Sequence, residues 1–170
     1  MKPMYLLAAA AMFVCASCAT TWVASNKAPD YTGQPKKIFF RVEVAQADPL
    51  FGAAFIQALE QEIASSLQAR QVQFSYTPFD PVSLETAADI EKRIADFAPD
   101  VVLTITKTVP YNTEDMQINQ LDVKLMAVGQ DKILWRGSVN RQGVWVGRKG
   151  GTACARSIVS RLQKDGVLAK

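Results

Sequence analysis

Apolar and polar residues alternate in "KIFFRVEVA", residues 37–45. Ile38, Phe40, Val42 and Val44 fall on one side and Arg41 and Glu43 on the other, which predicts a strand buried mainly on one face. The period then changes. In "DPLFGAAFIQALEQEIASSLQAR", residues 48–70, Phe51, Phe55, Leu59, Ile63 and Leu67 recur every fourth residue, the spacing of an apolar helix stripe. Asp48 is the expected N-cap and Pro49 the first helical residue. Val72, Phe74 and Tyr76 alternate again as a short strand, and "PFDP" breaks the chain. A second helix is expected in "SLETAADIEKRIADFA", capped by Ser83, with Leu84, Ala87, Ile94 and Phe97 facing inward and Pro99 ending it.

Three further strands follow in "DVVLTITKTV", "INQLDVKLMAV" and "ILWRGSVNRQGVWV", the first apolar enough to be central and the last two joined by the turn "GQDK". The last helix lies in "TACARSIVSRLQKDG", with Ala155, Ile158, Val159 and Leu162 inward, Lys164 in the last turn and Gly166 closing it. The expected fold is α/β (α+β): one mixed sheet of about five strands in the order β-α-β-α-β-β-β-α, helices mainly on one face. Two crossovers create parallel pairs and the final three strands a meander.

Residues 19–35, "ATTWVASNKAPDYTGQP", keep no period and carry Pro29, Gly33 and Pro35. They read as a tether that either holds the body away or lies back on it through Trp22 and Tyr31. Upstream, Lys2 is followed by the apolar run "LLAAAAMFV", residues 6–14, which is too short to span a bilayer and reads as a secretory signal. The expected organisation is a signal over residues 1–17, an anchor and tether over 18–35, and one domain over 36–170.

The 170 residues contain no histidine, which removes His-dependent catalysis and His-ligated metals. Of three cysteines, Cys15 and Cys18 sit at the end of the signal; Cys154, flanked by Ala153 and Ala155, reads as a small buried helix residue. Glu60/Glu62 and Asp89/Glu91 are two apart on helices and do not face each other, and Glu114/Asp115 falls in a turn, so all three read as solvated. No enzyme, metal or cofactor is expected, nor a nucleic-acid partner.

Charge is uneven. Residues 132–170 hold nine Lys or Arg and one acid, Asp165; residues 18–131 hold nine basic and fifteen acidic residues. The basic segment either attracts anions or meets the chain's own acids. Within it, "GRKGGT" sets Arg148, Lys149, Gly150, Gly151 and Thr152 just before the last helix, a candidate anion-binding loop without P-loop spacing. Trp135 and Trp145 read as core or rim packing.

"CASC", residues 15–18, resembles a bacterial lipobox, with Cys15 where that motif commonly has Leu. The resemblance implies that Cys18 is diacylated, becomes the mature N-terminus and is N-acylated. Ala19 implies the outer membrane, facing the periplasm. "CATT" from Cys18, the Pro29–Gly33 lead-in, Trp135 in the last strand and "LQKDGV" from Leu162 together resemble small Gram-negative lipoproteins of unassigned function. The element order is similar to the N-terminal domain of TolB. These resemblances imply a lipid-anchored, non-enzymatic binding or assembly module with an envelope protein partner or further copies of itself. An anionic headgroup or glycan is the alternative ligand, and a hydrolase the third reading.

Overall fold

The computed structural model describes residues 21–44, 52–80, 82–113, 116–130, 132–142 and 147–169. The described elements run β1 (Thr21–Lys27), β2 (Lys37–Glu43), α1 (Ala53–Gln68), β3 (Gln73–Tyr76), α2 (Ala87–Phe97), β4 (Val101–Thr113), β5 (Met116–Ala127), β6 (Ile133–Gln142) and α3 (Gly147–Lys164). Six strands form one mixed sheet in the spatial order β1-β6-β5-β4-β2-β3. As the crossovers require, β2 lies parallel to both β3 and β4, and β4, β5 and β6 form the antiparallel meander.

The expected order of elements therefore needs one correction. The chain opens with a strand, so that the sheet has six strands rather than about five. β1 lies in the segment read as tether and pairs antiparallel with β6, from Thr21 opposite Arg141 to Lys27 opposite Trp135. Of the two readings left open, the segment lies back on the body, and Tyr31 packs against the core. Trp22 points away and stays 45% exposed.

One face of the sheet carries the core. Ile38 and Phe40 of β2, Leu103 and Ile105 of β4, Leu121, Val123 and Leu125 of β5, and Trp135 and Val139 of β6 are buried there. At the β3 edge, Tyr76 stacks on Phe40 with ring centroids 4.5 Å apart. Phe55, Leu59, Ile63 and Leu67 of α1 and Ala155, Ile158, Val159 and Leu162 of α3 close this layer, as their spacing predicts. Cys154 is fully buried among them.

α1 and α3 touch backbone to backbone. A Cβ added at Gly151 would lie 2.2 Å from the carbonyl oxygen of Phe55 and 3.0 Å from the amide nitrogen of Leu59. Gly137 is required for another close approach: a Cβ there would meet the Trp135 ring at 2.3 Å. The indole lies across this gap, nearly out of solvent at 1% exposure.

α2 departs from expectation in two ways. It belongs to the reverse face, where Lys37 donates to the Phe97 carbonyl at 2.6 Å and Arg41 reaches Glu91. Phe39, on that face of β2, is consequently buried as well, so β2 is not one-sided. Its cap is Thr86, not Ser83. The Thr86 hydroxyl accepts from the Asp89 N–H, and the Asp89 carboxylate accepts from the Thr86 N–H, a reciprocal capping box. Ser83 instead accepts from the Glu85 N–H in a local turn. The helix starts late, so Leu84 is 94% exposed and Ala87 exposed, while Ile94 is buried. Asp48, Pro49 and Phe51 lie outside the described residues, and the described α1 follows Gly52 as N-cap. Gly166, at φ +70°, closes α3 as expected, with its N–H on the Gln163 carbonyl and that of Val167 on Leu162.

Candidate functional site

The expected anion loop is the start of α3, not a loop before it. Arg148 and Lys149 are exposed in its first turn; Gly150 and Gly151 are buried. Gly151 and Thr152 lie beyond the first turn, where helical N–H groups bond within the helix. The glycine at 151 serves contact with α1 rather than close approach to a ligand. Arg148 and Lys149 thus share an element with the two glycines but point to solvent while the glycines point inward.

On the reverse face α2 meets β2 and the Val102–Thr104 part of β4, while β1, β6 and β5 carry no described helix. The register sets Ala24, Ser138 and Asp122 in one cross-strand row, and Asn26, Arg136 and Lys124 in the next. Asp122 is the buried centre of this surface. Its carboxylate accepts from Arg136 Nε at 2.8 Å and Nη2 at 3.1 Å, a bidentate pair, and Lys124 Nζ approaches to 3.3 Å. Beside it lies a hollow of about 310 Å³, lined by Ala24, Asn26, Thr108, Asp122, Arg136 and Ser138. The Thr108 hydroxyl oxygen is buried there without a hydrogen-bond partner. This surface is polar, held in fixed charge register, and open. Nothing in the one-dimensional sequence marks it, because Asp122 and Arg136 meet only through strand register.

A second hollow, of about 250 Å³, lies at the carboxyl ends of β2 and β3, lined by Arg41, Glu43, Thr77, Phe79, Asp80 and Glu85 among others. Parallel strands commonly present ligand sites at this end. Here the carboxylates are engaged: Glu43 with Arg41 at 2.9 Å, Glu85 with Arg93, and Asp80 with the Val82 N–H at 3.0 Å. Asp80 and Glu85 hold the loop, and Glu43 is paired within its own strand.

Glu60 is a correction to the solvated reading of the carboxylate pairs. It is only 4% exposed, and both of its oxygens lie 3.1 Å from the Phe79 N–H that they accept. Burial raises its pKa from 4.5 to about 7, against the opposing effect of that hydrogen bond. The legible signal was its position, four residues after Ile56 and three before Ile63, on the flank of the apolar stripe. Glu62, by contrast, is half-buried and pairs with the exposed Arg156 at 2.9 Å.

The raised pKa has a definite sign. The folded state holds this proton more tightly than the unfolded state, so stability is fully present below pH 4.5 and declines as pH rises toward about 7. The decline amounts to at most about 3 kcal/mol. Glu60→Gln keeps the acceptor and removes the ionisation. It is expected to match the parent at pH 5 and exceed it by about 1–3 kcal/mol at pH 8. Urea unfolding at both values checks this; equal stability of the two proteins at pH 8 refutes the buried-carboxylate account.

The sharpest cluster is one the charge pattern does not reveal. Asp165 Oδ2 accepts from Ser25 Oγ at 2.6 Å, from the Trp135 indole N–H at 2.7 Å, and from Arg161 Nε at 3.2 Å. Arg161 Nε also donates to Ser25 Oγ at 2.6 Å. The group joins β1, β6 and α3, and gives the quoted Trp and "LQKDGV" motifs a common physical role. Burial raises the Asp165 pKa, but the bonds from Ser25 and Trp135 and the Arg161 charge outweigh it, so the net shift is downward.

The basic segment largely meets the chain's own acids: Lys132 with Asp30, Arg136 with Asp122, Arg156 with Glu62 and Arg161 with Asp165. Among the described residues Arg148, Lys149 and Lys164 have no such partner. Cys15, Cys18, Glu114, Asp115 and Trp145 lie outside the described residues. Among those described, no three metal-ligating side chains cluster and no helix is long and apolar enough to cross a membrane.

No family model and no curated protein sequence matches this chain. Its fold is similar to PelC from Paraburkholderia phytofirmans, solved as a dodecamer in two crystal forms. One, a point variant, has TM-score 0.55 and 14% identity, over 88% of this chain and 98% of that one. The other has TM-score 0.53 and 15% identity, over 89% and 100%. The lipoprotein GNA1162 from Neisseria meningitidis aligns over 77% of this chain and 99% of that one, with TM-score 0.45 and 20% identity.

Proposed function

We propose that the chain is a lipid-anchored envelope protein whose α/β domain works without catalysis, as a unit of an assembly built from its own copies and an envelope partner. The observation that carries this reading is the open face of β1, β6 and β5, with its ion pair between a buried Asp122 and an exposed Arg136. A sheet surface on which strand register fixes a bidentate ion pair, with the Arg136 guanidinium still exposed to a partner, suits docking in one register. The fold it shares with a protein crystallised as a dodecamer supports self-assembly. The lipobox resemblance at Cys18 supports the anchor, with acyl chains enough for durable attachment. The outer membrane, with the domain facing the periplasm, is the location this reading assigns.

The test uses the full chain expressed in a Gram-negative host and extracted in mild detergent. Sedimentation is expected to give a multiple of the protomer mass, and labelled palmitate to enter the parent but not Cys18→Ser. Arg136→Glu sets two carboxylates against each other and is expected to release protomers. A parent that sediments as a monomer at every concentration and copurifies with no envelope protein overturns the proposal.

A further inference from the structure

We infer that the rim formed by β1 and the outward side of α3 is a membrane-seating surface, on which Trp22 enters the headgroup layer and Arg148, Lys149 and Lys164 meet anionic lipid phosphates. The inference rests on the lipid anchor at Cys18 and adds to it how the domain is oriented.

Chain length comes first. β1 begins at Thr21, three residues after Cys18. Three residues span at most about 10 Å. β1 is itself held by seven register pairs to β6 and by Ser25 to Asp165. No long tether separates an acylated Cys18 from the sheet, so whichever surface surrounds Thr21 is brought against the bilayer.

That surface has the chemistry of an interfacial contact. A groove of about 490 Å³ opens there, lined by Thr21, Trp22, Arg156, Ser160 and Lys164 among others. Trp22, exposed on the edge strand, projects from the face of β1 opposite to Ser25 and α3 and borders the groove from that side; Trp and Tyr are the side chains enriched at membrane interfaces. α3 contains no acidic residue from Gly147 to Lys164. Arg156 is engaged by Glu62, and Arg161 by Asp165 and Ser25. Arg148, Lys149 and Lys164 keep their charge uncompensated and exposed. Ser25 meets Arg161 and Asp165, while Thr21 and Trp22 meet the groove beside Arg156, so β1 and α3 run in the same direction. The axis of β1, continued backward beyond Thr21, therefore points along α3 toward its first turn, where Arg148 and Lys149 stand. Trp22 and the α3 cations thus flank the β1 edge from its two sides, and a negative lipid surface set against that edge complements both.

The test reconstitutes the acylated protein in vesicles of phosphatidylethanolamine and phosphatidylglycerol with brominated acyl chains. The parent is expected to show a quenched fluorescence component that Trp22→Phe lacks. Reversing the three cations in Arg148→Glu/Lys149→Glu/Lys164→Glu is expected to cut that component about twofold, as does high salt. Because the three side chains are exposed and unpaired, the melting curve of this variant should match the parent. Equal fractional quenching of parent and Trp22→Phe overturns the inference. Mass spectrometry of the same sample reads the anchor separately. If no acyl chain is present, the anchor reading fails by itself, and the rim is judged by cosedimentation of that protein with the same vesicles. Salt-sensitive binding lost in the triple variant upholds the rim, and absence of binding overturns it.

Discussion

Gly151→Ala is expected to lower stability by about 3 kcal/mol or more, in a substitution that helix propensity alone would favour. Two effects compete. Alanine in a helix interior gains up to about 1 kcal/mol over glycine. Against this, the new methyl would lie 2.2 Å from the Phe55 carbonyl oxygen and 3.0 Å from the Leu59 amide nitrogen. Both obstacles are backbone inside α1, which cannot turn aside as a side chain would. The helices must separate, which opens the layer containing Cys154, Ala155 and Leu59. For a chain of this size the loss corresponds to a fall in melting temperature of roughly 10 °C. Calorimetry decides: a variant melting at or above the parent means that α1 and α3 do not meet at this glycine.

Asp165→Ala is expected to cost about 3 kcal/mol, chiefly because the buried Trp135 indole N–H loses its acceptor. The Arg161 ion pair adds little, since that side chain is 37% exposed. β1 is expected to loosen first, so amide exchange should accelerate at Val23–Asn26 more than in β5. The pH dependence follows from the lowered pKa of Asp165. Its contribution is complete above the unfolded carboxylate range, near pH 4, and is lost as pH falls through the folded value. The variant should therefore show a shallower acid limb than the parent. An unchanged exchange pattern in β1 would separate Asp165 from the docking of that strand.

Where side-chain period alone determines an element, the sequence was legible. Phe55, Leu59, Ile63 and Leu67 in α1, the Leu121–Val123–Leu125 alternation in β5, and Ile158, Val159 and Leu162 in α3 all face the core as their spacing requires. β1 was not legible, and for a physical reason. Of its inward positions, Thr21, Val23, Ser25 and Lys27, only Val23 is aliphatic, while Trp22 points outward. What holds Ser25 inward is Asp165, 140 residues away, a signal no local window contains. The cap of α2 could have been read, since Thr86 and Asp89 stand three apart as a capping box does. Gly150 and Gly151 fall inside α3 rather than before it, and at Gly151 the residue type that suits a ligand approached by backbone also suits a neighbouring helix approached by backbone. Only the position of Phe55 separates the two. The open-face pair of Asp122 and Arg136 is fourteen residues apart in sequence and depends on register.

The placement of the first strand governs the order in which the molecule can be completed. β1 leaves the ribosome before the other described elements, yet its hydrogen-bonding partner β6 begins at Ile133 and the carboxylate that holds Ser25 is at residue 165. Until residues 133–165 have been synthesised, β1 lacks these native partners. Contacts of such sequence separation form slowly. In a nascent chain of this design the β1 ladder closes only after β6 is made, and Ser25 is locked only when the end of α3 arrives.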